Sequence, residues 1–268
     1  MSSYIALDWL DLSFAAVFLV LNAGLSIWLR LGLERQIAVA ATRMIVQLLL
    51  VGMVLKWVFA AQSLWVTAAL MAMMLSFAAR QAFVRQDRPM AGIWGWFLGA
   101  GVMAVVGVAV TVFGVSFAIR PDPVWSPRYV LPLFGMVLGH AMTGVALGLD
   151  AFLGRLRRER AAVEARLLLG CTRGEAMRPQ MLGALRAGMT PMINAQMAIG
   201  VVTLPGMMTG QILSGVDPQE AVKYQLLVMF LLAGATGLGV LGAVLGAARR
   251  MSDDRHRLRL DRLAAAQK

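Results

Sequence analysis

Apolar residues occur along the chain in runs of about 20, separated by short polar and basic segments. Each run is long enough to cross a hydrocarbon core of about 30 Å as a helix, and none shows the strict alternation of a barrel strand. The pattern therefore predicts an all-α, polytopic integral membrane protein with about seven transmembrane helices. Their predicted limits are residues 10–29, 37–59, 63–80, 91–117, 129–152, 185–204 and 223–248.

The basic residues lie almost entirely on one side of this predicted bundle. Twenty of the 25 lysines and arginines fall in or beside the connections after the first, third and fifth spans and in the C-terminal tail, whereas four fall on the opposite side. Because basic loops remain in the cytoplasm, the N-terminus is predicted outside and the C-terminus inside, in the cell inner (cytoplasmic) membrane. An odd number of spans requires the same arrangement. The net charge of +11 does not indicate a protein that binds nucleic acid, because the positive charge is concentrated on one side of the membrane.

The composition supports a membrane protein and limits its chemistry. Hydrophobic residues make up 59% of the 268 residues and charged residues only 15%, against about a quarter charged in soluble domains. The chain has only two histidines, His140 and His256, which excludes a dense histidine metal cage. Its single cysteine, Cys171, cannot form an intrachain disulfide. The first span lacks the basic flank of a cleaved signal peptide, so it is predicted to be retained.

The longest connection, residues 153–184 on the basic side, carries a helical pattern. Leu156, Val163 and Leu167 form one apolar stripe in a segment otherwise rich in arginine. Gly170 is placed to end this helix, and Thr172 with Glu175 matches a capping box that begins another. The connection is therefore predicted to be a helix, a sharp turn and a second helix. The alternative is a basic amphipathic helix that lies on anionic membrane lipid.

The chain lacks the motifs that bind nucleotides or activate nucleophiles. None of its three lysines follows a glycine, so no P-loop is present, and neither H-E-x-x-H nor G-x-S-x-G occurs. We therefore predict that the chain is not an enzyme and binds no cofactor itself. Glycines four residues apart predict close helix packing instead, at Gly95/Gly99, Gly135/Gly139, Gly206/Gly210 and Gly242/Gly246.

Polar side chains inside the predicted spans are candidates for a substrate path, since they are costly in lipid. A Pro-Gly break at residues 205–206 interrupts the sequence after the sixth span, and broken helices often line substrate sites. The alternatives are ordinary helix packing for the histidine and an external loop for residues 205–215. The candidate path residues are Gln47, His140, Asn194, Met207, Met208 and Gln211.

Several of these segments resemble one transporter family. The stretch 204–225, LPGMMTGQILSGVDPQEAVKYQ, is similar to the signature of the FetB-type permeases, and the likeness extends to Pro132-x-x-Gly135-Met136 and to Arg43-x-x-x-Gln47-Leu48. Glu164-Ala165 with Gly170 six residues after the Glu resembles the cytoplasmic coupling loop of ABC-transporter permeases. Two positions depart from the FetB-type pattern, where Gly139-His140 replaces Gly-Asn and Gly170-Cys171-Thr172 replaces Gly-Ala-Thr. In the coupling-loop pattern Arg166 stands in place of an alanine, and Gln180 and Gly183 stand in place of an isoleucine and a proline.

The resemblance implies a single permease domain over residues 1–268, with a charged cytoplasmic tail at 249–268. It implies a permease homodimer and a separate cytoplasmic ABC ATPase subunit that holds the ATP. The residues implied in coupling to that ATPase are Glu164, Gly170, Thr172 and Glu175. Bacterial members are associated with iron export and plant relatives with nucleotide-sugar transport, so a metal ion and an organic substrate both remain candidates for the cargo.

Two other classes of function are compatible with a polytopic protein. An ion-driven secondary transporter needs an intramembrane acidic residue, for which Asp150 is the only candidate, and it lies near the end of a span. An intramembrane enzyme is disfavoured because the nucleophile and metal motifs are missing.

Overall fold

The computed structural model describes residues 8–253, 255 and 257–264. Within these residues the chain is helical and forms no β-strand, which confirms the all-α prediction. Residues Gly114–Ile119 extend α4 as a π-helix, and Leu260–Arg262 form a short 3-10 helix. The α-helices are α1 (Trp9–Trp28), α2 (Glu34–Ala61), α3 (Leu64–Val84), α4 (Trp94–Phe113), α5 (Pro127–Arg158), α6 (Arg160–Leu168), α7 (Arg173–Ala198), α8 (Gly206–Leu213) and α9 (Pro218–Arg250).

Six of the described helices are long and apolar enough to cross a membrane: α1, α2, α3, α4 with its π-helical extension, α5 and α9. They confirm that this is a polytopic integral membrane protein. The predicted span 185–204 coincides with the second half of α7, which begins in a charged segment at Arg173 and is not one of the six. Its predicted end is wrong, because α7 ends at Ala198 and residues 199–205 are not helical. The total of seven spans and the orientation remain predictions.

Helix α5 forms the centre of the bundle. It packs most extensively against α7 and α9, and also against α3 and α4. Phe134, Leu149 and Phe152 on α5 are fully buried or nearly so. By contrast, α1 packs against α2, and α2 makes only small contacts with α3 and α5. This outer pair exposes most of its apolar side chains, as expected for helices that face lipid.

Glycines bring α5, α7 and α9 close together. A Cβ on Gly188 of α7 would lie 2.6 Å from Cγ1 of Val240 on α9 and 2.7 Å from the carbonyl oxygen of Gly144 on α5. The predicted pair Gly242/Gly246 does pack closely, against Val102 and Leu98 of α4, which confirms that prediction. The packing prediction for Gly206/Gly210 is wrong, because a Cβ at either position would have no neighbour within 4 Å.

Part of the charged tail that the sequence predicted at residues 249–268 folds back on the bundle. Arg249 and Arg250 still belong to α9. After them the backbone N–H of Ala91 donates to the carbonyl oxygen of Arg262 at 2.7 Å, and that of Ala264 donates to Pro89 at 2.9 Å. Residues 254, 256 and 265–268 of the predicted tail lie outside the described residues. The described tail thus closes over the α3–α4 connection.

Candidate functional site

The predicted helix–turn–helix on the basic side is present. Helix α5 ends at Arg158, α6 follows after the single residue Glu159, and α7 begins at Arg173. Gly170 lies in the turn with a φ of +88°, a conformation that favours glycine. The segment is a helical turn rather than an irregular loop, because only residues 159 and 169–172 lie outside α5, α6 and α7.

The capping box at the start of α7 is confirmed. The Glu175 N–H donates to Thr172 Oγ1 at 3.4 Å, while the Thr172 N–H and hydroxyl each donate to Glu175 Oε2 at 2.8 Å. The backbone hydrogen bond, followed by the hydroxyl bond, lowers the pKa of the Glu175 carboxyl from its usual value of 4.5. Thr172 and Glu175 therefore fix the angle at which the chain enters α7.

Two longer-range hydrogen bonds hold the turn against the bundle. Gln180 Nε2 on α7 donates to Glu159 Oε2 at 2.7 Å, and Arg166 Nη1 on α6 donates to the carbonyl oxygen of Ala176 at 3.2 Å. Sequence analysis missed both, because their partners are 21 and 10 residues apart and match no local motif. The predicted apolar stripe also packs the turn against the bundle, since Leu156 and Val163 are fully buried.

The outer face of this turn carries an apolar tip. Leu168 and Leu169 are 89% and 84% exposed, although they adjoin a charged helix. Glu164, one turn earlier, is half-buried and forms an ion pair with Arg160 at 2.7 Å. A pair so close to solvent contributes little stability. The turn therefore presents leucines, a carboxylate and the Gly170 backbone on one exposed end of the molecule.

A second feature is a cavity of about 440 Å³ between α5, α7 and α9. His140 and Thr143 of α5, Pro191 of α7 and Thr236 of α9 line it, together with Gly188. The hydroxyls of Thr143 and Thr236 donate to carbonyl oxygens four residues earlier in their own helices, at 3.1 and 2.8 Å. Their oxygen lone pairs remain able to accept hydrogen bonds or to ligate a cation.

The surface beside this cavity is polar although it lies at membrane depth. His140, Thr190 and Asn194 are exposed there, on the helices α5 and α7. His140 lies 12 residues from the predicted inner end of the span at residue 152, which is about 18 Å along a helix and close to the middle of a 30 Å core. Polar groups at this depth face protein or water rather than lipid. This face of the chain is therefore suited to a second protein surface or to an aqueous path.

The predicted break after α7 is also present, with α8 packed against α9. Met207 contacts the apolar cluster that includes Val228 and Leu232 of α9, and Met208 is half-buried. Within the described part of the chain, the buried Oε1 atoms of Gln211 on α8 and Gln225 on α9 have no hydrogen-bond partner. Unpaired buried carbonyl oxygens are costly, and they are natural ligands for a cation or a donor group on a substrate.

The structure brings together only some of the predicted path residues. His140 lines the cavity, while Met207, Met208 and Gln211 lie together on α8. Asn194 lies on the polar face but is not among the residues that line the cavity, and Gln47 is exposed on the outer helix α2. Sequence analysis missed Thr143, Thr236 and Gln225 as candidates. Thr143 had a signal, since it follows His140 by three residues and thus shares its helical face.

No cluster of three or more His, Cys, Asp or Glu side chains suited to a metal ion occurs among residues 8–253, 255 and 257–264. A cation in the cavity would therefore meet the imidazole of His140, the hydroxyls of Thr143 and Thr236 and the thioethers of Met136 and Met192. This donor set is weaker than a carboxylate or thiolate cage, and weak ligands are appropriate where a cation has to be released again.

The bundle, its broken helix and the intramembrane cavity define a polytopic helical membrane protein with the features of a transport protein. The chain belongs to a family described as Uncharacterised protein family (UPF0014), whose model matches residues 9–252. No solved structure matches the chain.

Relatives come from bacteria and plants. A UPF0014 membrane protein of Synechocystis is 36% identical over 85% of this chain and 87% of its own length. The probable iron export permease protein FetB of Escherichia coli is 31% identical over 85% of this chain and 86% of its own. Protein ALUMINUM SENSITIVE 3 of Arabidopsis thaliana is 31% identical over 82% of this chain and 79% of its own length. The predicted resemblance to FetB-type permeases is thus confirmed.

Proposed function

We propose that this protein is the membrane permease subunit of an ABC transporter that exports a metal ion, with iron as the first candidate, across the cell inner membrane. A separate cytoplasmic ATPase subunit would hydrolyse the ATP, and two permease chains would form the translocation path. In this arrangement the part of α7 that lies in the membrane and ends at Ala198 completes seven spans, with the N-terminus outside and the C-terminus in the cytoplasm. The relative named as a probable iron export permease supports this class of cargo.

The observation that carries the proposal is the continuity of α5 and α7. His140 on α5 lies 18 residues from the cytoplasmic end of its helix at Arg158, and Pro191 on α7 lies 18 residues from Arg173. The same two helices therefore carry the α6 turn at one end and the cavity at the other, about 27 Å away. A force applied at the turn reaches the cavity through two hydrogen-bonded helices rather than through a flexible loop.

The coupling residues have distinct roles in this mechanism. The exposed leucines Leu168 and Leu169 would enter an apolar groove on the ATPase, and Glu164 would pair with a basic residue beside it. Gly170 permits the sharp turn, and Thr172 with Glu175 holds α7 at a fixed angle to α6. Closure of the ATPase dimer would then tilt α5 and α7 and exchange an inward-open cavity for an outward-open one.

The exposed polar face of α5 and α7 supports a path between two permease chains. Asn194 and Thr190 would be costly against lipid, and a second copy removes that cost by enclosing them in a shared aqueous path. The helix α8, with Met207, Met208 and Gln211, would lie further along this path. A cargo that reaches it would meet soft sulfur and neutral oxygen ligands.

An organic anion is the second candidate cargo. It is favoured by the size of the cavity, since about 440 Å³ falls in the range of small-molecule sites, and by the lack of a metal cluster among the described residues. A nucleotide-sugar is one substrate of this class. His140 could donate a hydrogen bond to the anionic part of such a ligand, and the hydroxyl oxygens of Thr143 and Thr236 could accept hydrogen bonds from its sugar hydroxyls.

The test is the ATPase activity of the purified permease–ATPase complex in lipid, with and without ferrous iron. A rise with iron but not with magnesium supports both the coupling and the cargo. A stable, active complex whose ATPase activity does not change with iron but rises with a nucleotide-sugar would exclude iron as the cargo. It would still support the assignment as an ABC transporter. A permease that forms no complex with any ATPase overturns the proposal.

Variants at the turn test the coupling residues separately. Alanine at Glu164 or Gly170 should weaken pairing with the ATPase while membrane insertion remains normal. Glu34→Ala is the matched control, because it also removes a half-buried carboxylate, one that accepts a hydrogen bond from Ser26 at the start of the outer helix α2. This variant should bind the ATPase normally. Unchanged pairing of both coupling variants would remove these two residues from the docking surface.

A further inference from the structure

A second cavity, of about 400 Å³, lies at the basic end of the bundle, away from the cavity that contains His140. It is formed where the end of α9 meets the start of α4 and the folded-back C-terminal segment. Its polar lining includes Arg249 and Arg250 at the end of α9 and Arg262 in the tail segment. Arg173 at the start of α7 adds a fourth guanidinium to the lining.

Three of the four arginines that line this cavity have no ion-pair partner among the described residues. No ion pair with a carboxylate is formed by Arg249, Arg250 or Arg262 within the part of the chain that the structure describes. The one described carboxylate in the lining, Asp253, is already engaged by Arg257 at 2.8 Å. The guanidinium groups of Arg249, Arg250 and Arg262 therefore converge without an acidic partner among the described residues. Such a group of arginines forms a site for an anion, and phosphate matches their geometry well.

Two of these arginines are held in place by the fold. The guanidinium of Arg250 lies 4.9 Å from the ring centroid of Trp94 at the start of α4, which is a cation–π contact. Arg262 Nη1 donates to the carbonyl oxygen of Arg250 at 2.6 Å. The tail segment is fixed in turn by its backbone hydrogen bonds to residues 89 and 91. The basic groups are therefore positioned before a ligand arrives.

The other wall of the cavity is apolar and lies on the exposed surface of the bundle. Trp94 is 59% exposed, and Leu98 lines the cavity one turn further along α4. Ile93 and Phe97 beside them are also largely exposed. A tryptophan in this position is typical of the interface between lipid and water. The cavity is thus basic where it meets water and apolar where it meets lipid.

From this arrangement we infer that the cavity binds the headgroup of an anionic phospholipid, with the phosphate among Arg249, Arg250 and Arg262 and an acyl chain along Trp94 and Leu98. Basic pockets between membrane helices on the cytoplasmic side bind such headgroups. The choice of the cytoplasmic leaflet rests on the proposed orientation, whereas the choice of ligand rests on the lining alone. A bound lipid would join α9, α4 and the tail segment, and it would be independent of the cargo.

The test is native mass spectrometry of the purified full chain, titrated with phosphatidylglycerol or with phosphatidylcholine of the same acyl chains. The wild type should retain one phosphatidylglycerol per chain at concentrations at which phosphatidylcholine is lost. The double variant Arg249→Gln/Arg250→Gln removes two interfacial charges. Its dissociation constant for phosphatidylglycerol should be roughly thirtyfold higher than that of the wild type. The control Arg35→Gln/Arg85→Gln removes two exposed arginines outside the cavity and should retain lipid as the wild type does.

Equal retention by the wild type and the Arg249→Gln/Arg250→Gln variant would overturn the inference. Displacement of phosphatidylglycerol by millimolar glycerol 3-phosphate or inorganic phosphate would also overturn it, in favour of a soluble phosphate ligand. A photoactivatable phosphatidylglycerol on the wild type gives a readout that needs no variant. Its cross-links should concentrate on the first turns of α4 and the last turns of α9, and an even spread over α1 and α2 would contradict the site.

Discussion

The close approach of α5, α7 and α9 at Gly188 makes the substitution Gly188→Ala a sharp test of the packing. The added methyl group would lie 2.6 Å from Val240 Cγ1 and 2.7 Å from the carbonyl oxygen of Gly144. The valine is fully buried and the carbonyl oxygen belongs to the backbone of a neighbouring helix, so neither can move without shifting a helix. The two contacts lie directly beside the cavity that contains His140.

Two opposing effects determine how far Gly188→Ala changes the free energy of unfolding. Overpacking of a tight core costs about 1–3 kcal/mol, and a backbone obstacle places this case at the upper end. Alanine gains about 1 kcal/mol over glycine in a helix interior. The net loss of about 2 kcal/mol should lower the apparent melting temperature by roughly 4–8 °C for a chain of this size.

The matched control is Gly139→Ala, in α5 and on the lining of the same cavity. A Cβ at Gly139 would have no neighbour within 4 Å. This variant therefore gains the higher helix propensity of alanine but introduces no steric clash. The assay is thermal unfolding in detergent, and the quantity measured is the fraction of protein that remains monodisperse at each temperature. A Gly188→Ala midpoint within about 1 °C of the Gly139→Ala midpoint would refute the reasoning. The double variant Gly188→Ala/Val240→Ala should recover only in part, because the contact with Gly144 remains.

Three further predictions concern the turn, its cap and the buried amides. Leu168→Ser/Leu169→Ser should abolish pairing with the ATPase in a pull-down and leave the melting temperature unchanged, since both side chains are more than 80% exposed; a loss of stability with intact pairing would contradict the docking role. The lowered pKa of Glu175 means that its cap stabilises α7 above a pH of about 4.5 and is lost as the pH falls through the lower folded value. Between about pH 6 and pH 3 the wild type should therefore lose more thermal stability than Glu175→Gln, which keeps a capping side chain but does not titrate, and parallel curves would exclude this effect. Gln225→Met removes a buried, unpaired carbonyl oxygen and should stabilise the chain by about 1–3 kcal/mol; transport by the complex should fall if that oxygen contacts the cargo, and unchanged transport would remove Gln225 from the path.

The sequence determined the features that depend on neighbours along the chain. Apolar runs of membrane length predicted the helices, because only a helix or closed barrel satisfies backbone hydrogen bonds in lipid. The capping box at Thr172 and Glu175 and the turn at Gly170 were predicted for the same reason, since their hydrogen bonds and backbone angles involve residues within one turn. The break before α8 followed from Pro205 and Gly206, although α7 ended seven residues before that proline.

Only the tertiary structure decided what depends on distant contacts. It placed His140, Thr143 and Thr236 around one cavity and left Gln47 on an outer helix, a distinction that helical periodicity within single spans cannot make. It also showed that part of the predicted charged tail is hydrogen-bonded to residues 89 and 91. Both outcomes arise because packing between helices, unlike helix formation, depends on which surfaces meet, and residues far apart in sequence supply those surfaces.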